Sequence, residues 1–279
     1  MIVNCKDILE DAYKGGYAIG SYNVHNLEWA KYILEASKED RSPVIMAFSE
    51  KSVSYMGGYS VCVSLIKSLC SELKINIPVV IHLDHATSFE SCKKAIDSGF
   101  TSVMIDASNL DLEDNIKITN KVLEYASERK VTVEAEIGKI GDSKEYDTIP
   151  IEEISEFYLR TSVDMLAISI GNKHGFYDED DKLDFELLGS AAKEVRIPLV
   201  LHGASFLDDN KIKTAIFCGV SKININTELM YNWALSVRDY LNQNDKVYDP
   251  RSIISSGDHI IKRMVHEKNE LFGSKNRAN

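Results

Sequence analysis

The segment "PVVIHLDH", starting at Pro78, runs an apolar stretch straight into three ionisable side chains, His82, Asp84 and His85. Burying such groups without partners costs several kcal/mol, so they must pair with one another or face a metal or a substrate. Two more histidines end apolar runs, His174 in "GNKHG" and His202 in "LVLHGAS". Acids do the same: Asp106 closes "SVMID", and Glu134 and Glu136 stand in "VEAEIG". Three histidines with an open fourth position form a catalytic zinc arrangement, and a carboxylate beside it suits proton transfer. A lone histidine is more often a satisfied core residue; here the weight comes from recurrence at the ends of apolar runs. Side chains alternate along a strand, which puts Asp84 on the face of His82 and places His85 on the other, unless the strand already turns there. Asp84 is therefore expected beside a metal rather than on it, with His82 in a supporting role.

Residues so far apart need a scaffold that brings strand ends together. Short β-branched runs begin at Tyr17, Pro43, Pro78, Ser102, Val131, Met165, Pro198 and Lys222. Runs this short, apolar and turn-bounded read as strands buried on both faces. Amphipathic helical stretches separate them. One begins at Asn26; another, "SFESCKKAIDSG", opens on Ser88 as N-cap and closes on Gly99 as C-cap. The alternation predicts a (β/α)8 TIM barrel with a C-terminal helical extension from "NTELMYNWALSVRDYL" onward, as a single domain over residues 1–279. An open doubly wound sheet is the rival. In such a barrel the functional groups sit at the C-terminal ends of the strands, where these histidines and acids fall.

Composition narrows the classes. The chain carries 43 acidic against 32 basic residues, a net charge of −11, which argues against nucleic acid as partner. No apolar run approaches the length of a membrane span, and the N-terminus lacks an apolar signal core. Five cysteines without a CxxC pair argue against a disulfide framework and suit a cytoplasmic protein.

The motifs "HLDHATSFESCKKAIDSGFTSVMIDAS", "VEAEIG", "GNKHGFY", "LVLHGAS", "KININT" and "YDPRS" together resemble the class II, metal-dependent ketose-bisphosphate aldolases of the fructose-/tagatose-bisphosphate type. The resemblance implies Zn2+ held by His85, His174 and His202, and a second divalent or monovalent cation near Asp106 and Glu136. It implies Asp84 as the acid/base at the scissile bond. It also implies a first-phosphate site at Gly175, Gly203, Ser205, Asn224, Asn226 and Thr227, with Asn23 and Ser49 toward the far end of the substrate. The implied reaction is reversible cleavage of fructose or tagatose 1,6-bisphosphate to dihydroxyacetone phosphate and an aldehyde. Zinc acts as Lewis acid and holds the ene-diolate charge. Members of this kind are homodimers or homotetramers.

Three departures stand out. Strand seven reads "LHGASFLDD", where the family has LHGGSG, so Ala204 and Phe206 replace glycines. Glycines let backbone N–H groups approach a phosphate, so Phe206 is expected to narrow the cradle or force a different backbone. Asp208 and Asp209 would repel a phosphate unless they point away or cap the next helix. The loop "GKIGDSKEYDTIP" is shorter than the glycine-rich family loop that supplies a catalytic glutamate, with Asp142 where a glycine is usual; Glu145 takes that role after a small shift in register, or is a solvated loop acid. Lys173 is either solvated or a positive charge for an anionic group.

These departures keep alternatives open. One is a same-fold lyase for a ketose 1-phosphate or other anionic ketose. Another is a catalytically weak metal-binding homologue. A barrel metallohydrolase, in which three histidines activate water, is a third. Lys222 invites a Schiff-base reading, but the histidine set already supplies an electron sink.

Overall fold

The computed structural model describes residues 1–140, 149–178 and 181–278. Eight parallel strands close into a barrel in sequence order: β1 (Ile19–Asn23), β2 (Val44–Ser49), β3 (Val79–Ala86), β4 (Ser102–Ile105), β5 (Thr132–Ile137), β6 (Met165–Ile168), β7 (Leu199–Leu201) and β8 (Val220–Ile225). Pairing of β8 with β1 rules out the open sheet. Each expected strand is present, and each is buried along nearly its whole length, as strands covered on both faces must be.

The helices are α1 (Lys6–Gly15), α2 (Leu27–Glu39), α3 (Glu50–Tyr55), α4 (Tyr59–Glu72), α5 (Phe89–Ser98), α6 (Leu112–Ser127), α7 (Ile151–Thr161), α8 (Phe185–Val195), α9 (Asp209–Phe217), α10 (Thr227–Gln243), α11 (Pro250–Ser255) and α12 (Asp258–Leu271). Their ends follow local chemistry. Asn26 accepts from Trp29 N–H at 2.9 Å to start α2, and Ser88 accepts from Ser91 N–H at 3.2 Å to start α5. Gly99 ends α5 at φ 99°, a left-handed C-cap that costs glycine nothing.

Two apolar clusters hold the barrel. The larger lies between the strands and the outer helices. The smaller plugs the N-terminal end, where Ile8, Leu9 and Ala12 of α1 meet Ile19, Ile45, Val80 and Val200. The C-terminal extension returns to the barrel through α12, which packs on α2. Asn269 fixes that contact by donating to Asp40 at 2.9 Å and accepting from the Tyr22 hydroxyl at 3.0 Å. With one end plugged, the C-terminal ends of the strands are left as the mouth.

Candidate active site

At the mouth, β3 departs from strict alternation. His85 adopts φ 48°, and the β3–β4 register shifts between Leu83 and Ala86. A bulge of this kind re-aims a side chain. It swings His85 toward the rim beside Asp84, although alternation alone would send it to the opposite face. His85 and His202 come within 4.5 Å between ring centroids, and His174, on the loop after β6, stands at 5.4 Å from His85. Ligand atoms of Asp84, His85 and His202 lie within 4.8 Å of one another, as do those of His85, Asp106 and Glu136.

A cavity of about 200 Å3 opens here. Asp84, His85, His174 and His202 line it. Gly175, Gly203, Ser205, Asn224, Asn226, Thr227, Asn23 and Ser49 also line it. Every residue lining it is one that the sequence singled out. A wider surface groove of about 900 Å3, bordered by Tyr13, Phe217 and Phe272, has no histidine or carboxylate in its lining and is not a competitor for this chemistry.

The anticipated roles divide on inspection. Asp84 is buried, with one oxygen accepting from Asn23 Nδ2 at 2.8 Å and the other from Asn224 Nδ2 at 3.0 Å. Burial would raise its pKa, but His85, His202 and Lys222 outweigh burial and hold it well below the usual carboxylate range. Asn23 therefore orients Asp84 from within the cavity. Ser49 Oγ accepts from Ser52 N–H at 3.2 Å as the cap of α3, and it also borders the cavity. Asp106 Oδ2 lies 2.8 Å from His85 Nδ1, an arrangement that fixes the ring and leaves Nε2 for the cavity. Glu136 accepts from Ile140 N–H at 3.2 Å through one oxygen, while its other oxygen is buried without a partner. Burial and the neighbouring Asp106 push its pKa up to about 8. Burial works against His85, yet Asp84, Asp106 and Glu136 raise it to about 9. Glu145 lies outside the described residues.

These groups fit a cation. His202 Nε2 sits 2.7 Å from Glu134, and its buried Nδ1 has no partner. An orphaned imidazole nitrogen and an orphaned carboxylate oxygen in an acid-rich cup are what a bound metal would satisfy.

The strand-seven departures resolve cleanly. Phe206 adopts a left-handed backbone, at φ 61°, and does not line the cavity. Its ring turns outward to stack on Phe176 at 4.4 Å and meets Tyr231 edge-on at 5.8 Å. Aromatic pairs contribute about 0.5–1.5 kcal/mol each, enough to offset a left-handed residue at about 1–2 kcal/mol. The expectation that Phe206 narrows the cradle is thus corrected. Asp208 caps α9 by accepting from Asn210 N–H at 2.9 Å. Lys173 is neither solvated nor turned to the cavity: it is buried and pairs with Asp181 at 2.6 Å.

Sequence reasoning missed the residues that tie the rim together. Asn172 donates to the His202 carbonyl at 3.0 Å, and the Tyr177 hydroxyl donates to the Gly203 carbonyl at 2.8 Å. His25 Nε2 lies 2.9 Å from Asn226 Oδ1. None of these has a local pattern; each contact joins loops that only barrel closure brings near.

Comparison with known proteins agrees with this geometry. The family model for class-II fructose-bisphosphate aldolase matches residues 3–277. The chain belongs to the class II fructose-bisphosphate aldolase family. Its chemistry is that of an aldolase, a carbon–carbon lyase of a metal-dependent class. Fructose-bisphosphate aldolases from Geobacillus stearothermophilus and Staphylococcus aureus are each 44% identical to this aldolase chain over 284 residues, covering 99% of both sequences. Among solved structures, the YdjI aldolase from Escherichia coli K12 superposes with a TM-score of 0.89 at 34% identity, covering 100% of both chains.

Proposed function

We propose that this chain, working as one barrel domain, is a zinc-dependent aldolase that reversibly cleaves fructose or tagatose 1,6-bisphosphate to dihydroxyacetone phosphate and an aldehyde. The observation that carries the reading is Asp84. Its buried carboxylate is held by Asn23 and Asn224 with its ligand atom within 4.8 Å of those of His85 and His202. His85, His174 and His202 would hold the zinc, with Asp106 and Glu136 suited to a second divalent or monovalent cation. When bound, the metal supplies a Lewis acid for the substrate's carbonyl and hydroxyl oxygens. Asp84 takes the hydroxyl proton as the carbon–carbon bond breaks, and that carbon becomes the aldehyde. The bonding electron pair passes to the three-carbon fragment, which then takes up a proton.

Neutral donors suit the first phosphate. Asn226 makes no side-chain cap of α10, whose start borders the cavity at Asn226 and Thr227, and the Asn226 N–H donates to Ser205 Oγ at 3.3 Å. A second reading, cleavage of a ketose 1-phosphate or another anionic ketose, is favoured by one feature: no lysine or arginine is among the described residues that line the cavity, so nothing there matches a second phosphate. Cleavage of fructose and tagatose 1,6-bisphosphates beside their 1-phosphates by the zinc-loaded protein tests both. Faster turnover of a bisphosphate supports the first reading, and turnover of the monophosphates alone supports the second.

A homodimer or homotetramer accords with α10, which buries only Leu229 and exposes Met230, Leu235 and Leu241. Five free cysteines accord with a cytoplasmic location. No described helix is long and apolar enough to cross a membrane.

A further inference from the structure

Directly beneath the cavity the barrel interior is ionic where such interiors are usually packed with branched apolar side chains. His82, Glu134 and Lys222 are all fully buried, one layer below Asp84, Glu136 and Asn224 on the same three strands. The β7–β8 register shifts between Leu199 and Val200, so that Val200 pairs with Lys222, the residue below Asn224. Lys222 is fully buried and is not among the residues that line the cavity.

Its ammonium instead joins two branches, one through an ion pair and one through a hydrogen bond. In one, Lys222 Nζ lies 2.8 Å from Glu134 Oε2, and the other oxygen of Glu134 lies 2.7 Å from His202 Nε2. With Nε2 donating to Glu134, His202 presents the unpartnered Nδ1 to the cavity. In the other branch, Lys222 Nζ donates to Asn224 Oδ1 at 2.7 Å. That bond fixes which end of the amide faces upward, and Asn224 Nδ2 donates to Asp84 Oδ1 at 3.0 Å. A fully buried ion pair contributes little net stability beside a well-packed apolar pair, so stability alone does not account for it.

We propose that Lys222 is a positioning residue shared by both halves of the site: through Glu134 it aims His202 at the metal, and through Asn224 it aims Asp84 at the substrate. The inference rests on the roles assigned above to His202 and Asp84. It is separate from the Schiff-base role, because Lys222 acts here only through its neighbours.

The test compares wild type with Lys222→Met and with the double variant K222M/E134Q. Zinc affinity is read by chelator competition, the ligand field by the visible spectrum of the cobalt-substituted protein, and turnover by aldol cleavage. Lys222→Met should weaken zinc binding by about tenfold to a hundredfold, the usual cost of losing a group that orients a ligand, and shift the cobalt spectrum. It should lower kcat more than it changes KM. In the double variant the carboxylate that Lys222 pairs is replaced as well, and the amide oxygen introduced by E134Q can still accept from His202. Zinc affinity should recover there while kcat stays low, because the Asn224 branch is still broken. A folded Lys222→Met protein with wild-type zinc affinity, cobalt spectrum and kcat would overturn the proposal. If the single variant does not fold, wild-type kcat in the double variant would overturn it equally. Wild-type protein that binds zinc yet cleaves no phosphorylated ketose would sink the functional reading and leave the affinity comparison standing.

Discussion

Asp84 is the residue on which the chemistry turns. Replacing it by alanine removes the group proposed to move the hydroxyl proton and should lower kcat by about 10²- to 10⁴-fold. Zinc content, measured by atomic absorption on the same preparation, should stay near that of wild type. An active Asp84→Ala protein would show that another group moves the proton. His82 makes a second prediction, about pH. Burial, and next the charge of Lys222, hold its pKa down to about 3 from an ordinary 6.5. Between those values the unfolded chain binds a proton that the folded chain does not. Stability is therefore complete above about pH 6.5 and falls as pH drops through the window, by about 1.4 kcal/mol per pH unit from this residue. Urea unfolding of wild type and His82→Asn from pH 7 to pH 4 should give a shallower slope for the variant; equal slopes would remove His82 from the account. At this scale the sequence was legible in residue types. The HxDH run and the two later histidines named the cavity wall. Their connections were not legible, because the Glu134–Lys222 pair and the Asn224–Asp84 bond cross the barrel between distant strands.

The elements that matter most are the loops after β3, β6 and β7. Gly203 shows how tightly the last two fit. Its φ is 69°, and a Cβ there would collide with the Lys173 carbonyl oxygen. Gly203→Ala must therefore push the β6 loop away, breaking the Tyr177 contact and displacing His174. A loss of more than about 2 kcal/mol in unfolding free energy, with a weaker zinc site, is expected from strain at such a position. Thermal unfolding and chelator competition measure both; an unchanged melting temperature would mean that the two loops are not in contact as described. Helix ends were readable from local patterns, since Ser88 and Gly99 act through neighbours in sequence. The turn at His85 was not, because the β3–β4 register shift is set by a non-local pairing. Phe206 teaches the same lesson. Its type suggested obstruction, but its direction depends on Phe176 and Tyr231, which the sequence does not place beside it.

At the scale of the whole molecule, eight buried runs alternating with amphipathic helices were enough to anticipate a closed barrel, because parallel strands need covered faces and crossover helices. Closure makes the site: it brings β3, β6 and β7 to one mouth, while α1 plugs the other end. How the C-terminal helices return was not visible in the pattern, since α12 is held by Asn269, Asp40 and Tyr22, three polar residues far apart in sequence. The central claim is that this barrel mouth is a metal-dependent aldolase site. The most direct measurement is release of dihydroxyacetone phosphate from fructose 1,6-bisphosphate, tagatose 1,6-bisphosphate and their 1-phosphates by purified protein, before and after chelation and again after zinc is restored. A metal-dependent aldolase should cleave at least one substrate, lose that activity on chelation and regain it with zinc. Cleavage that survives complete metal removal, with borohydride trapping a covalent adduct of the substrate, would contradict the central claim.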